Sequence, residues 1–234
     1  MASSNKRQFL RYAFYKVDPE WRRLPAEEQA AHKAEFADVV DSFADKLYVL
    51  RTYTTVGTRG DVDFLIWSVG AELRHLHDLQ AALNRTKLAG YCSTPYSYLA
   101  MTKRSIYVRE HRHEGQEGTR LTVQPQGATY LFVYPFVKTR QWYALPLEER
   151  QRAMNQHIEI GHKYPSVRLN TSYSFGLDDQ EFVVAFESDS PADFLDLVME
   201  LRESEASSYT LRDTPIFTCV AADIRSALDA VGGA

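Results

Sequence analysis

Hydrophobic and polar positions follow two periods along the chain, the two-residue period of strands and the 3.6-residue period of helices. In the first half these periods predict a strand, a helix, two strands around a glycine turn, a helix and a strand. The segments are a strand over 8–17, a helix opening after Leu24-Pro25, strands over 47–56 and 62–69, a helix over 71–86 and a strand over 95–103.

The second half repeats the same order of elements. Its segments are a strand over 128–138, a helix over 145–163, strands over 166–175 and 180–187, a helix over 191–204, a strand over 215–221 and a short closing helix over 223–231. The order β-α-β-β-α-β is that of the ferredoxin-like unit. The predicted fold class is therefore α+β, with two tandem ferredoxin-like units forming one pseudo-twofold β-barrel with outer helices.

An internal duplication supports this division, since short motifs recur at an offset of about 120 positions. Trp21 and the following Leu24-Pro25 match Trp142 and Leu145-Pro146, a shift of 142 − 21 = 121. Two further pairs follow in order: Gly57 with Asp63-Phe64 against Gly176 with Glu181-Phe182, and Thr94-Pro95 against Thr214-Pro215. We predict an N-terminal half over 1–104, a linker or flap over 105–127, which is charged and has no period, and a C-terminal half over 128–234.

Composition places the chain among ordinary globular proteins. It has 234 residues, 44% hydrophobic and 25% charged, with 27 basic against 31 acidic residues and a net charge of −4. This balance argues against a disordered or membrane-embedded chain, and without a basic block we expect no nucleic-acid partner. Cys92 and Cys219 form no CxxC pair and no apolar leader follows Met1, so we expect a cytoplasmic location. Neither GxSxG, P-loop nor GxGxxG is present, which disfavours hydrolase and nucleotide chemistry.

The strand over 128–138 carries the first candidate chemistry. Alternation places one set of side chains on one face, namely Tyr130, Phe132, Tyr134, Phe136 and Lys138, and places Leu131, Val133 and Val137 on the other. Both faces are apolar, so we expect both to be covered. Lys138 either meets an anionic ligand at the end of the aromatic face or extends to solvent at a strand end. Pro135 predicts a bulge or an edge within the strand.

Two histidines lie on the helix over 145–163. His157 and His162 are five residues apart, about 140° around the helix, so they cannot share one metal ion as an i, i+4 pair can. Each alone is more often a hydrogen-bonded core histidine than a ligand.

Four spaced motifs in the second half resemble those of the chlorite dismutase-like family of heme proteins. The motifs are Tyr134-Pro135-Phe136-Val137-Lys138, Trp142-Tyr143-x-Leu-Pro, His157-x-x-x-Gly161-x-x-Tyr164 and Gly176-Leu177-Asp178-Asp179-x-Glu181-Phe182. The resemblance covers essentially the whole chain. It is greatest to the coproheme decarboxylase branch, in which a peroxide-driven enzyme makes heme b in bacteria.

The resemblance implies a function and a set of site residues. The substrate is iron coproporphyrin III, and two of its propionates become vinyl groups with loss of carbon dioxide when H2O2 is supplied. His157 is implied as the fifth ligand of the iron. Tyr134 is implied as the residue that forms a radical and takes hydrogen from a propionate. Lys138 is implied as the hydrogen-bond donor to that propionate. Trp142 lies nearby, and Arg202 and Ser207 match positions that contact propionates. A homopentamer is the implied assembly.

One position departs from the family pattern. Leu169 stands where chlorite dismutases carry a distal arginine and many decarboxylases a glutamine. Counting from His157 selects Asn170 instead, and a histidine of the linker is a third alternative for the residue that handles peroxide. Arg168 would replace the arginine only through a bulge. Without that cation, chlorite has no evident stabiliser for its developing charge.

Two further functions remain open at this point. One is another enzyme, a chlorite dismutase or a heme peroxidase, and the other is a non-catalytic heme carrier or sensor on the same scaffold. Tyr134 and Lys138 favour the decarboxylase, because a carrier needs neither residue. In the first half the counterparts of His157 and Tyr134 are Phe36 and Ala13, so we expect that half to be structural.

Overall fold

The computed structural model describes residues 6–107 and 121–233. Its strands are β1 (Phe9–Val17), β2 (Val49–Thr54), β3 (Phe64–Gly70), β4 (Cys92–Met101), β5 (Tyr130–Lys138), β6 (Arg168–Tyr173), β7 (Phe182–Ser188), β8 (Thr210–Arg212) and β9 (Phe217–Ala221). Its helices are α1 (Ala26–Asp41), α2 (Leu73–Leu83), α3 (Arg140–Ala144), α4 (Leu147–His162), α5 (Pro191–Glu203) and α6 (Ile224–Ala230). Within these residues, no helix combines the length and apolarity that a bilayer crossing demands.

The strands form one antiparallel sheet that closes on itself. Their order is β7-β6-β4-β1-β3-β2-β9-β5-β8, and β5 also pairs with β7 over Tyr130–Phe136. This last pairing closes a barrel, and β8 lies outside the ring against the end of β5. Closure removes the two open edges that a sheet of this size would otherwise expose.

The predicted β-α-β-β-α-β order is confirmed in both halves, as is the barrel. The structure adds α3 and β8, which are too short to show a period. Strand β4 begins at Cys92, three residues before the predicted start. Pro95 lies where the pairing of β4 with β1 shifts its register. A bulge accommodates proline because it interrupts the ladder of backbone hydrogen bonds.

Alternation along each strand divides the side chains between the barrel interior and the outer, helix-covered face. In β5, Leu131 and Val133 point inward, where they join Trp67 and Tyr12 in the interior core. The outward residues of the first half pack under α1, α2 and α6, and those of the second half pack under α4 and α5. β5 is therefore buried on both faces, as its sequence predicts.

Pro135 lies opposite Val183 of β7, and its other side faces the gap between β9 and β8. The β9 pairing ends at Val133, and the β8 pairing begins at Val137, after which the register shifts. The strand is thus locally an edge at its proline, as predicted. On that side no strand among the described residues pairs with Pro135, so its missing backbone N–H costs no hydrogen bond.

The chain enters β5 over a buried carboxylate. Glu187 is 1% exposed and accepts hydrogen bonds from the backbone N–H groups of Gln126 and Gly127 and from Nδ2 of Asn170. Of the predicted linker, residues 108–120 lie outside the described residues. The part that follows is held at its end by this charged acceptor.

We expect Glu187→Ala to lower the free energy of unfolding by about 2–4 kcal/mol, because three donors lose their acceptor in the interior. Glu159→Ala, which removes an exposed carboxylate on α4, is the control and should change it by less than about 0.5 kcal/mol. Urea unfolding measures both. Equal effects of the two variants would contradict this role of Glu187.

Candidate functional site

The outer face of β5 forms the floor of a buried aromatic site beneath α4 and α5. Tyr134 is 9% exposed and packs in a cluster with Phe186 of β7, Ile160 of α4 and Phe194 of α5. The ring centroids of Tyr134 and Phe186 are 6.1 Å apart. Burial, together with the nearby charge of Asp213, raises the pKa of Tyr134. Its hydroxyl therefore stays protonated at neutral pH.

Lys138 ends the same face and is also buried, with 8% exposure. Its Nζ donates a 2.5 Å hydrogen bond to the carbonyl oxygen of Ala206 and lies 4.7 Å from the centre of the Trp142 ring. Burial lowers its pKa to about 8, and the negative charge of Glu181 acts in the opposite direction. A buried cation at the end of an aromatic face is an expected binding partner for a carboxylate.

His157 lies on α4 and contributes a ring nitrogen without a hydrogen-bond partner. Its Nδ1 is buried and has no partner among the described residues. Burial, and then the positive charge of Lys138, lower the pKa of His157 to about 4. The imidazole is thus neutral at physiological pH, which is the form that ligates a metal. A porphyrin iron needs only one such protein ligand on a face, so His157 fits this group.

Arg202 and Ser207 approach the site from α5 and the turn that follows it. Nη2 of Arg202 lies 2.6 Å from Oδ2 of Asp213, and the charges of both residues act on Tyr134. Ser207 follows Ala206, whose carbonyl oxygen binds Lys138, and is half-buried. The predicted residues of the C-terminal half therefore surround one outer face of the barrel.

The two carboxylates nearest to this turn, Glu203 and Glu205, are candidates for orienting His157. Neither hydrogen-bonds Nδ1 of His157. Glu205 instead pairs with Arg152, whose Nη2 lies 2.9 Å from its Oε1. In the described structure neither glutamate therefore orients the imidazole through Nδ1.

Strand β6 decides which candidate distal residue faces the aromatic side. Leu169 lies opposite Phe186, on the outer face, and is 36% exposed. Asn170 points into the barrel, where its Nδ2 lies 3.1 Å from Oε2 of Glu187. Arg168 is exposed at the start of the strand and lies opposite Glu187. The linker histidines, His111 and His113, lie outside the described residues.

Sequence reasoning missed several groups that contact the predicted residues. The carboxylate of Glu181 accepts hydrogen bonds from the backbone N–H of Lys138 and from Oη of Tyr143. Glu181 belongs to the motif Gly176-Leu177-Asp178-Asp179-x-Glu181-Phe182, and this motif was the sequence signal that could have identified it. Ala206 acts through its carbonyl oxygen, which no residue pattern reveals.

The equivalent space in the first half is filled by side chains. Phe36 is fully buried and contacts Tyr15 and Phe64 edge to face, with ring centroids 6.2 and 5.8 Å apart. Ala13, the counterpart of Tyr134, is also buried in this cluster. An aromatic core thus occupies the position that His157 and Tyr134 hold in the second half.

The fold is a barrel of two ferredoxin-like halves with one buried aromatic site on its outer face, and comparison with known proteins identifies its family. The family model for chlorite dismutase matches residues 29–222. The chain therefore belongs to the chlorite dismutase family.

Individual relatives are consistent with this assignment. The chain is 34% identical over 191 residues to a coproheme decarboxylase from Mycolicibacterium smegmatis, covering 78% of this chain and 80% of the relative. Among solved structures, a mutant chlorite dismutase from Candidatus Nitrospira defluvii superposes with a TM-score of 0.87 at 21% identity, covering 96% of this chain and 95% of that one. A heme-binding protein from Thermus thermophilus superposes with a TM-score of 0.84 at 27% identity, covering 96% and 95%.

The lowered pKa of His157 has a consequence for acid stability. An unfolded histidine takes up its proton near pH 6.5, whereas folded His157 does so only near pH 4. The unfolded state therefore binds more protons between these values, and stability is lost as the pH falls through this window.

We expect the protein without porphyrin to lose about 3 kcal/mol of unfolding free energy through His157 between pH 6.5 and 4. His157→Ala should remove this part of the acid sensitivity, as measured by urea unfolding at several pH values. His77→Ala, which removes an exposed histidine of α2, should retain it. An unchanged pH dependence in His157→Ala would contradict the buried neutral imidazole.

Proposed function

We propose that this protein is an H2O2-dependent coproheme decarboxylase, an enzyme that converts iron coproporphyrin III to heme b by oxidative loss of carbon dioxide from two propionates. The observation that carries the proposal is the burial of Tyr134 and Lys138 on one outer face, with the unpartnered nitrogen of His157 on the helix above. The identity to a coproheme decarboxylase supports the same conclusion. When bound, the porphyrin iron supplies the oxidising power in reaction with peroxide.

In this proposal each buried residue has one task. His157 binds the iron through a neutral imidazole, and its burial prevents competition by protons above about pH 4. Tyr134 gives up its hydroxyl hydrogen and then takes one from the propionate side chain, which loses carbon dioxide and a further electron to become a vinyl group. One H2O2 per propionate accepts both electrons, and Lys138 holds the carboxylate by charge. The edge of the porphyrin lies against Trp142, Arg202 and Ser207. Leu169 contributes an apolar side chain to the wall of the site opposite His157.

The first half, residues 1–104, has a structural role in this proposal, and residues 128–234 carry the heme site. Residues 105–127 link the two and contain His111 and His113, which are an alternative to Leu169 and Asn170 for the residue that handles peroxide. We also place the enzyme in the cytoplasm, since Cys92 and Cys219 are free thiols.

A homopentamer is the proposed assembly, by resemblance to the family. Exposed apolar side chains support self-association, since Leu195 and Met199 of α5 are 57% and 61% exposed.

Ligation by His157 predicts a specific pattern of porphyrin binding. His157→Ala should weaken binding of iron coproporphyrin and alter its ferric absorption spectrum, whereas His162→Ala, at the exposed end of α4, should leave the spectrum unchanged. The parent should bind one porphyrin per chain, because Phe36 fills the counterpart position. Two porphyrins per chain, or the reverse behaviour of the two variants, would contradict the assignment.

A radical role for Tyr134 separates an enzyme from a carrier. Tyr134→Phe removes one oxygen and little volume, so it should bind iron coproporphyrin with near-parent affinity and release no carbon dioxide on addition of peroxide. Tyr130→Phe, on the same face of β5, is the matched control and should convert the substrate at the parent rate. Lys138→Ala should stall after one propionate, with the monovinyl intermediate detected by mass. Parent-rate heme b formation by Tyr134→Phe would overturn the radical role.

Chlorite tests the other enzymatic alternative. Leu169 offers no cation to an anionic substrate on the outer face, so oxygen release from chlorite should be slow and the heme should bleach within a few turnovers. An oxygen electrode measures this. Rapid and sustained release would favour a chlorite dismutase instead.

A further inference from the structure

The carboxylate of Glu181 binds the backbone N–H of Lys138 and has no task in the proposed mechanism. It is 8% exposed and lies directly before β7. Its backbone N–H donates to the carbonyl oxygen of Phe136 at 3.2 Å, next to the last β5–β7 pair, Phe136 opposite Phe182. The side chain is thereby fixed against the end of β5.

One oxygen of this carboxylate joins two elements of the site. Oε2 accepts a 2.9 Å hydrogen bond from the backbone N–H of Lys138 and a 2.5 Å hydrogen bond from Oη of Tyr143. The register of β5 shifts between Val137 and Lys138, so the direction of the lysine depends on what binds it after the shift. Glu181 provides this contact, and Tyr143 ties the carboxylate to α3.

The first half contains the same arrangement without a site above it. Asp63 lies directly before β3, and its Oδ2 accepts a 2.8 Å hydrogen bond from the backbone N–H of Val17. Val17 is the counterpart of Lys138, since 138 − 121 = 17. The backbone contact is therefore a structural feature of both halves. The second half differs from the first in two ways. Glu181 has a longer side chain than Asp63, and it contacts Tyr143, whose counterpart in the first half is Arg22.

We propose that Glu181 is a positioning residue for Lys138: it fixes the backbone of the lysine at the end of β5 and places a buried carboxylate next to it. The proposal rests on the proposed function, in which Lys138 holds a propionate. A neutral lysine would not attract that carboxylate, and a lysine displaced along the strand would not reach it. The opposing effects of burial and Glu181 on the pKa of Lys138 support this role.

The charged and titratable groups around Lys138 come from several elements. Glu181 contacts the Lys138 backbone and the hydroxyl of Tyr143. Nη1 of Arg140, whose side chain is almost fully exposed, is 3.9 Å from Oε1 of Glu181. His157 of α4 is close enough to Lys138 for the positive charge of the lysine to lower its pKa. Arg212 of β8 lies opposite Val137, one residue away. Among these groups, Glu181 is the buried carboxylate in contact with the lysine backbone.

The first measurement uses the porphyrin-free protein, in which titration of Lys138 is followed by NMR of isotope-labelled lysine. Glu181→Gln keeps the shape of the side chain and removes its charge, so Lys138 should release its proton at least about one pH unit lower than in the parent. Glu181→Asp keeps the charge and should titrate near the parent. Asp63→Asn, the matched change in the first half, should leave the Lys138 titration unchanged. Parent-like titration in Glu181→Gln would overturn the charge role.

The second measurement adds iron coproporphyrin III and peroxide and compares the two decarboxylations by mass. Both Glu181 variants should slow the second decarboxylation about tenfold relative to the first, because Glu181→Gln loses the charge and Glu181→Asp the position. Asp63→Asn should keep the parent ratio. A parent-like ratio in Glu181→Asp would overturn the positioning role.

The two measurements separate this inference from the proposed function. If the parent makes no heme b, the proposed function fails, and the titration still decides whether Glu181 sustains the charge of Lys138. If Glu181→Gln does not fold, Glu181→Asp together with Tyr143→Phe, which removes the second donor to Oε2, gives the same comparison of product ratios. A parent ratio in both would again overturn the proposal.

Discussion

The pairing of β5 with β7 is the interaction that fixes the rest of the structure. It closes the barrel, and in doing so it gives one strand two buried faces. The inner face completes a core shared by both halves, while the outer face is aromatic and lies beneath α4 and α5. A strand fixed on both edges cannot slip by one residue without exchanging these faces. The positions of Tyr134 and Lys138 therefore follow from closure of the barrel.

Duplication supplies the scaffold twice, and the two copies differ in what fills the space under the helices. In the first half Phe36 and Phe64 complete an aromatic core, which is favourable without any ligand. In the second half the same helical position is His157, whose Nδ1 is buried without a partner in the described structure. An unpartnered buried nitrogen costs stability, so the second half carries the cost of a site that the first half avoids.

Buried charge is concentrated around the end of β5. Lys138, Glu181 and His157 lie within one region where burial disfavours charged forms. For Lys138, the negative charge of Glu181 opposes the effect of burial, and its pKa is about 8. The imidazole of His157 is neutral because burial and the nearby cation both disfavour its protonation. Each group thus influences the protonation of the next.

Periodicity and turn residues are local properties, so the amino-acid sequence was enough to define the longer elements and their duplication. It also singled out Tyr134, Lys138 and His157, although their roles came from the family resemblance rather than from spacing. That Leu169 faces the aromatic side and Asn170 points inward to Glu187 became apparent only in the folded chain. Folding likewise brought Ala206 to Lys138 across 68 positions of the chain. Such contacts depend on strand register and barrel closure, which are set by distant parts of the chain and leave no local pattern.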